Sequence, residues 1–103
     1  MSPPLPYCVY VLRSLTDGGL YIGFTTDMDR RLGEHNSGKS PATEPRRPFE
    51  LVFCEFFLVK ADAQRREEYL KTSSGRRALK LMCRETLAGA SDLQALAPPL
   101  PLP

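Results

Sequence analysis

Tyr7-Cys8-Val9-Tyr10-Val11-Leu12-Arg13 is followed, after Ser14-Leu15-Thr16, by Asp17-Gly18-Gly19 and then by Leu20-Tyr21-Ile22-Gly23-Phe24. The flanks are aromatic and β-branched. The middle is turn chemistry, because glycine accepts positive φ without steric cost. Residues 7–13 and 20–24 therefore read as two strands of an antiparallel hairpin. With Arg13 paired near Leu20, Tyr10 falls opposite Gly23, and Tyr21 and Gly23 share a face. Both tyrosine hydroxyls then point to one side of the sheet, with Gly23 leaving room between them. Two readings of the pair stand open here: core tyrosines whose hydroxyls reach the surface, or polar groups held at a site.

Working outward, Thr26 is a candidate helix cap, Asp29 sits where a carboxylate reaches back, and Asp27 and Asp29 suit a positive helix start. That helix is expected to reach about Asn36 and stop at Ser37-Gly38. Residues 37–48, with Pro41, Pro45 and Pro48, read as a loop. Phe49 to Val59 is a third strand, apolar on both faces apart from Glu50 and Glu55, and so expected in the centre of the sheet under helices. Asp62 is expected to cap a second helix at about 63–72, with Gly75 separating it from a third at about 76–88. In that third helix Leu79, Met82 and Thr86 form a stripe, widened by Ala78 and Leu81. The fold class is α+β: a three-stranded antiparallel sheet flanked by helices.

The chain has 103 residues, enough for one small domain. Residues 7–88 are expected to form it. Seven of the ten prolines lie in the expected tails, 1–6 and 89–103. The second tail favours extended polyproline conformations and reads as a spacer or a docking segment. Apolar residues make up 42% and charged residues 25%, which excludes global disorder and a collagen-like repeat. The longest apolar run, Leu51 to Val59, is broken by Glu55 and falls short of the roughly 20 residues of a membrane helix. Met1 to Pro6 lacks a positive n-region and an apolar core, so no secretory signal is expected. Cys8, Cys54 and Cys83 are odd in number and widely spaced, which argues against a disulfide framework or a zinc site and for a reducing, cytoplasmic setting.

Net charge is only +2, but it is unevenly spread. Residues 1–29 hold one basic and three acidic residues, whereas residues 30–85 hold 13 basic and eight acidic. Arginines there come in pairs: Arg30-Arg31, Arg46-Arg47, Arg65-Arg66 and Arg76-Arg77. A solvated mixed surface and a phosphate-binding surface both fit this pattern.

Arg31 and His35 are four residues apart and share a helix face, while Met28 and Leu32 carry the apolar face. A guanidinium fork near a histidine suits a phosphate; an exposed basic face is the plainer alternative. His35 is the sole histidine, which excludes a multi-histidine metal site. In Arg66-Glu67-Glu68-Tyr69-Leu70-Lys71, one carboxylate can hold a hard cation such as Mg²⁺. Glu67 and Glu68 point about 100° apart, and Glu67 with Lys71 also reads as a plain i,i+4 pair.

Taken in order, Cys8-Val9-Tyr10, Tyr21-Ile22-Gly23, Arg31, His35 and Arg66-Glu67 with Leu70-Lys71 resemble the GIY-YIG nuclease superfamily. The likeness is greatest to small standalone proteins related to the nuclease domain of the excinuclease C subunit, and it covers about residues 6–88. It implies a divalent-metal-dependent DNA endonuclease using Mg²⁺ or Mn²⁺, structure-selective or weakly sequence-specific, in DNA repair or recombination. Tyr10 and Tyr21 would be the paired active-site tyrosines and Arg31 the phosphate-binding arginine. His35 would stand where relatives carry His or Tyr, and Glu67 would be the metal carboxylate, favoured over Glu68 by the Arg-Glu-x-x-Leu-Lys register. DNA contacts are expected from Arg30, Arg31, Lys39, Arg66, Lys71 and Arg76. A domain this small has no separate reading module, so a protein partner supplying specificity is a further expectation, with no membrane role. Three positions depart from the pattern: Cys8 replaces a Gly, Phe24 stands where many relatives carry Lys, and Asn36 is the sole asparagine, whereas many relatives carry one late in the domain. The alternative functions are a non-catalytic nucleic-acid-binding or adaptor module, and a structural protein docking through its proline tail.

Overall fold

Strand β1 (Tyr7–Ser14) runs through the middle of a three-stranded antiparallel sheet, between β2 (Leu20–Thr25) and β3 (Phe49–Phe57). The computed structural model describes residues 5–88; most of both expected tails therefore lies outside the described residues. Helices α1 (Met28–Ser37), α2 (Lys60–Lys71) and α3 (Ser73–Met82) flank the sheet in an α+β fold, and after a turn at Cys83 residues 84–88 are helical again, so the third helix expected at 76–88 is interrupted. None of the described helices is long and apolar enough to cross a membrane.

The hairpin has the expected register, with Arg13 opposite Leu20 and Tyr10 opposite Gly23. The two sides of the sheet are covered differently. Val9, Val11 and Ile22 pack with Ala63 and Leu70 of α2 and Leu79 of α3 in an apolar core. Cys8, Tyr10, Leu12 and Phe49 form a smaller cluster against Met28 and Leu32 of α1.

The expectation that the third strand is central is overturned. β1 is central and, after Tyr7, buried along its whole length; β3 is an edge strand with Leu51, Cys54 and Phe56 exposed. Its apolar residues fall on both faces because the pairing slips: Val11 opposes Phe53, but Leu12 opposes Leu51. This bulge leaves Val52 extra and breaks the alternation that exposes an edge strand in sequence. Glu55 tolerates its place because Arg66 of α2 donates to it at 2.8 and 3.3 Å.

Helix boundaries shift for identifiable reasons. Asp27, rather than Thr26, caps α1 by accepting from the Arg30 N–H, and Thr25 Oγ1 accepts from the Asp27 N–H. The stop at Gly38 is a left-handed cap with φ 85°, which suits glycine. Helix α2 begins at Lys60, so Asp62 lies in its first turn, paired with Arg65, instead of capping it. The break before α3 falls at Thr72, which ends α2 and caps α3 by accepting from the Gly75 N–H. Gly75 lies inside α3, and a Cβ there would run into the Tyr69 carbonyl, so the two helices meet through its bare backbone. The buried side of α3 is carried by Gly75 and Leu79, continued by Cys83, while Leu81, Met82 and Thr86 face out, against the expected stripe. The expected loop 37–48 carries one 3-10 turn, Glu44–Arg46.

Candidate active site

Helix α1 lies against the sheet through Met28, Leu32 and His35, spaced 3.6-fold on one stripe. That stripe carries His35 under the sheet and sets Arg31 beside it. From β1, Tyr10 reaches over its cross-strand partner: a Cβ at Gly23 would collide with the Tyr10 ring and hydroxyl. The glycine is therefore required by the path of the Tyr10 side chain.

The Tyr10 hydroxyl lies between two α1 groups. Arg31 Nε donates to it at 3.3 Å, and His35 Nε2 is 2.9 Å away. His35 Nδ1 meets Thr43 Oγ1 at 2.6 Å. Tyr21 stands edge-on to the His35 ring, with centroids 5.0 Å apart, and Phe49 closes another side at 6.0 Å. Tyr10 is 1% exposed and His35 0%. Tyr21 is half-buried, and its hydroxyl makes no hydrogen bond among the described residues.

Charge and burial shape these groups. Burial pushes the Tyr10 phenol above its ordinary pKa; the Arg31 bond and charge pull it down, and the charges of Tyr21 and Glu67 add to the rise. Burial and then the Arg31 charge push His35 below the ordinary histidine value, with Glu34 pulling the other way. Burial works against the Arg31 charge, but its bonds to Tyr10 and to Glu34, the latter at 3.0 Å, outweigh it and keep the guanidinium charged. At neutral pH the cluster is a neutral phenol, a neutral imidazole and a fixed cation.

Glu67 comes from the other layer. Ala63, Glu67 and Leu70 recur at helical spacing on the sheet-facing stripe of α2, which turns Glu67 inward and leaves Glu68 exposed. The Glu67 side chain is 20% exposed and pairs with Lys71 at 3.1 Å. It makes no hydrogen bond to Tyr10, Arg31 or His35; it reaches Tyr10 only through its field. Among the described residues, no group of three or more His, Cys, Asp or Glu could hold a metal ion. A lone half-buried carboxylate suits a hard cation that keeps most of its shell as water and phosphate oxygen, and does not suit a protein-caged one.

The other expected phosphate contacts divide. Arg30 and Lys39 are exposed beside the α1 site, Lys71 is half-exposed on Glu67, and Arg76 is partly buried on α3. Arg66 is engaged elsewhere, forked onto Glu55 and stacked over Tyr69. Thr43 was missed: the sequence marks it only as a member of a proline-punctuated loop. Cys8 packs on Met28, with its thiol pushed up to about 12 by burial and the nearby Cys54. Phe24 stacks on Tyr7 in the opposite layer. Asn36 donates to the Phe49 carbonyl and accepts its N–H, tying α1 to β3.

Known proteins resemble this chain in sequence. A UPF0213 protein of Staphylococcus haemolyticus is 41% identical over 75 residues, covering 72% of this chain and 90% of that one. A UPF0213 protein of Streptococcus agalactiae is 44% identical over 68 residues, covering 65% and 76%. The solution NMR structure of a UPF0213 protein from Bacillus halodurans is 42% identical, covers 74% of this chain and 81% of that one, and has a TM-score of 0.46. The family model described as the GIY-YIG catalytic domain matches residues 6–80, from the start of β1 through most of α3, and the chain belongs to that family.

Proposed function

We propose that the protein is a divalent-metal-dependent DNA endonuclease that hydrolyses phosphodiester bonds, selecting structure more than sequence. One observation carries the reading: an arginine, a buried phenol and a buried imidazole are joined in one hydrogen-bonded cluster, in a fold whose α2 turns a carboxylate, Glu67, toward the sheet. Glu67 would hold Mg²⁺ or Mn²⁺ once Lys71 moves off it. Bound there, the cation supplies Lewis-acid polarisation of the phosphate and charge for the leaving oxygen. Arg31 is a fixed donor, aimed where negative charge grows on phosphorus, and its bond to Glu34 holds it in place. Tyr10 takes the proton of the attacking water. Its raised pKa keeps it protonated at rest, so it must release its own proton as it takes another. Tyr21, more open, orients the water or the sugar-phosphate backbone. His35 stands behind the Tyr10 hydroxyl, bonded to it through Nε2 and to Thr43 through Nδ1, and acts through Tyr10. Arg30, Lys39 and Lys71 neutralise flanking phosphates, which position the duplex without reading its sequence.

A second reading has its own observation. Glu67 already has a cation, Lys71 at 3.1 Å, which favours a non-catalytic nucleic-acid-binding or adaptor module over a metal site. Branched and duplex DNA are incubated with the protein and Mg²⁺ or Mn²⁺, and binding is followed against salt. The nuclease reading expects cuts that disappear in Glu67→Ala while salt-dependent binding persists. Binding without cleavage under either metal selects the adaptor instead.

A further inference from the structure

The geometry points to Thr43 as a positioning residue: its hydroxyl fixes His35 with the proton on Nδ1, so that the Tyr10 hydroxyl must donate to Nε2. This rests on the nuclease reading for its consequence, but the assignment itself follows from counting donors and acceptors. Tyr10, His35 and Thr43 are all buried, at 1%, 0% and 0% exposure. Buried polar hydrogens need acceptors. Arg31 Nε has only a proton to give, so the Tyr10 oxygen accepts from it.

Run in one direction, every proton has a destination. Tyr10 O–H donates to His35 Nε2, His35 Nδ1–H donates to Thr43 Oγ1, and Thr43 O–H donates to the Ser40 carbonyl at 3.4 Å. Run in reverse, Thr43 donates to Nδ1, and Nε2–H donates to Tyr10. The Tyr10 oxygen then accepts twice, and its own proton has no acceptor among the described residues. A buried hydroxyl proton left without an acceptor carries its full desolvation penalty. The forward chain wins.

The direction matters for chemistry. When water attacks phosphorus, its proton passes to Tyr10 Oη as the phenol proton passes to His35 Nε2. The water oxygen bonds to phosphorus as the bond from phosphorus to the leaving sugar oxygen breaks; an O–H bond of water and the O–H bond of Tyr10 break, and a new O–H on Tyr10 and an N–H on His35 form. The leaving oxygen takes a proton from solvent, and the imidazolium, which keeps its Nδ1–H on Thr43, returns the extra proton through Tyr10 to solvent after turnover. With the other tautomer Nε2 already carries a proton, and Tyr10 has nowhere to send its own.

The sole histidine makes the test direct, because nitrogen-15 NMR of the imidazole in the full chain reads one ring. Wild type and Thr43→Ser are expected to show Nδ1 protonated and Nε2 bare. Thr43→Val, which keeps the shape and removes the hydroxyl, is expected to move the proton to Nε2 or to mix the tautomers. In the cleavage assay Thr43→Val is expected to lower kcat about 100-fold with KM little changed, the size of a lost proton-transfer partner, and Thr43→Ser to restore it. A wild-type spectrum with the proton on Nε2 overturns the proposal, and it does so even if Thr43→Val fails to fold. A folded Thr43→Val protein that keeps the Nδ1–H form overturns it too. If the spectra behave as expected but wild type cuts no DNA, the tautomer assignment stands and the nuclease reading falls.

Discussion

The two faces of the sheet do different work with the same central strand. Val9 and Val11 point into an apolar layer with Ala63, Leu70 and Leu79. Tyr10, between them in sequence, points the other way into a layer where Arg31, His35 and Thr43 each depend on a hydrogen bond. Strand alternation alone separates the two, at a period of two residues. Burial on the first face stabilises the fold without specifying chemistry. Burial on the second raises the Tyr10 pKa and lowers that of His35, so low polarity there tunes reactive groups.

Leu70→Ala strikes the first face alone. Leu70 is fully buried, and truncating a core leucine costs about 2–5 kcal/mol in transfer and cavity terms. Chemical denaturation is expected to show that loss, while the molecules that remain folded keep the wild-type cleavage rate. Arg31→Ala strikes the second face. Losing a donor aimed at developing charge costs about 100- to 1,000-fold in kcat, and the denaturation midpoint is expected to move little because the Arg31–Glu34 pair is partly exposed. If Arg31→Ala unfolds the protein as Leu70→Ala does, the separation of the faces is wrong.

A smaller effect tests the rim where both faces end. Asp17 accepts from the Arg46 guanidinium and the Gly19 N–H, which hold its carboxyl down at about 2. A folded value below the unfolded one means that its contribution is complete above the unfolded pKa of about 3.9 and is lost as pH falls through the folded value. Urea midpoints between pH 5 and pH 2 are expected to fall slightly more steeply for wild type than for Asp17→Asn. Identical slopes would show that the pair, exposed as it is, contributes nothing to acid stability.

The hairpin register was readable because Asp17-Gly18-Gly19 fixes the turn and the turn fixes every pair, including Tyr10 with Gly23. Helical spacing was enough to put Arg31 and His35 on one face; between Glu67 and Glu68 it decided only that one of them faces inward, and the family register was needed to favour Glu67. The position of β3 was not, because the bulge at Val52 scrambles the alternation that distinguishes an edge from a centre. The outer face of α3 was misplaced because Leu81 and Met82 are apolar yet exposed, and hydrophobicity alone does not say which side a neighbour covers. Thr43 was invisible for a different reason: a loop residue eight positions past His35 has no periodicity linking the two, and only the folded chain places its hydroxyl on Nδ1.

The central claim is that Glu67 and the Tyr10 cluster form one phosphodiesterase site. It is met most directly by a single-turnover experiment in which branched DNA is pre-bound by wild type or Glu67→Ala in a chelator and Mg²⁺ is then added. Wild type is expected to cut on addition of the metal, and the folded, DNA-bound Glu67→Ala protein to leave the substrate intact. Equal cutting by both proteins, or none by wild type with either Mg²⁺ or Mn²⁺, would contradict it.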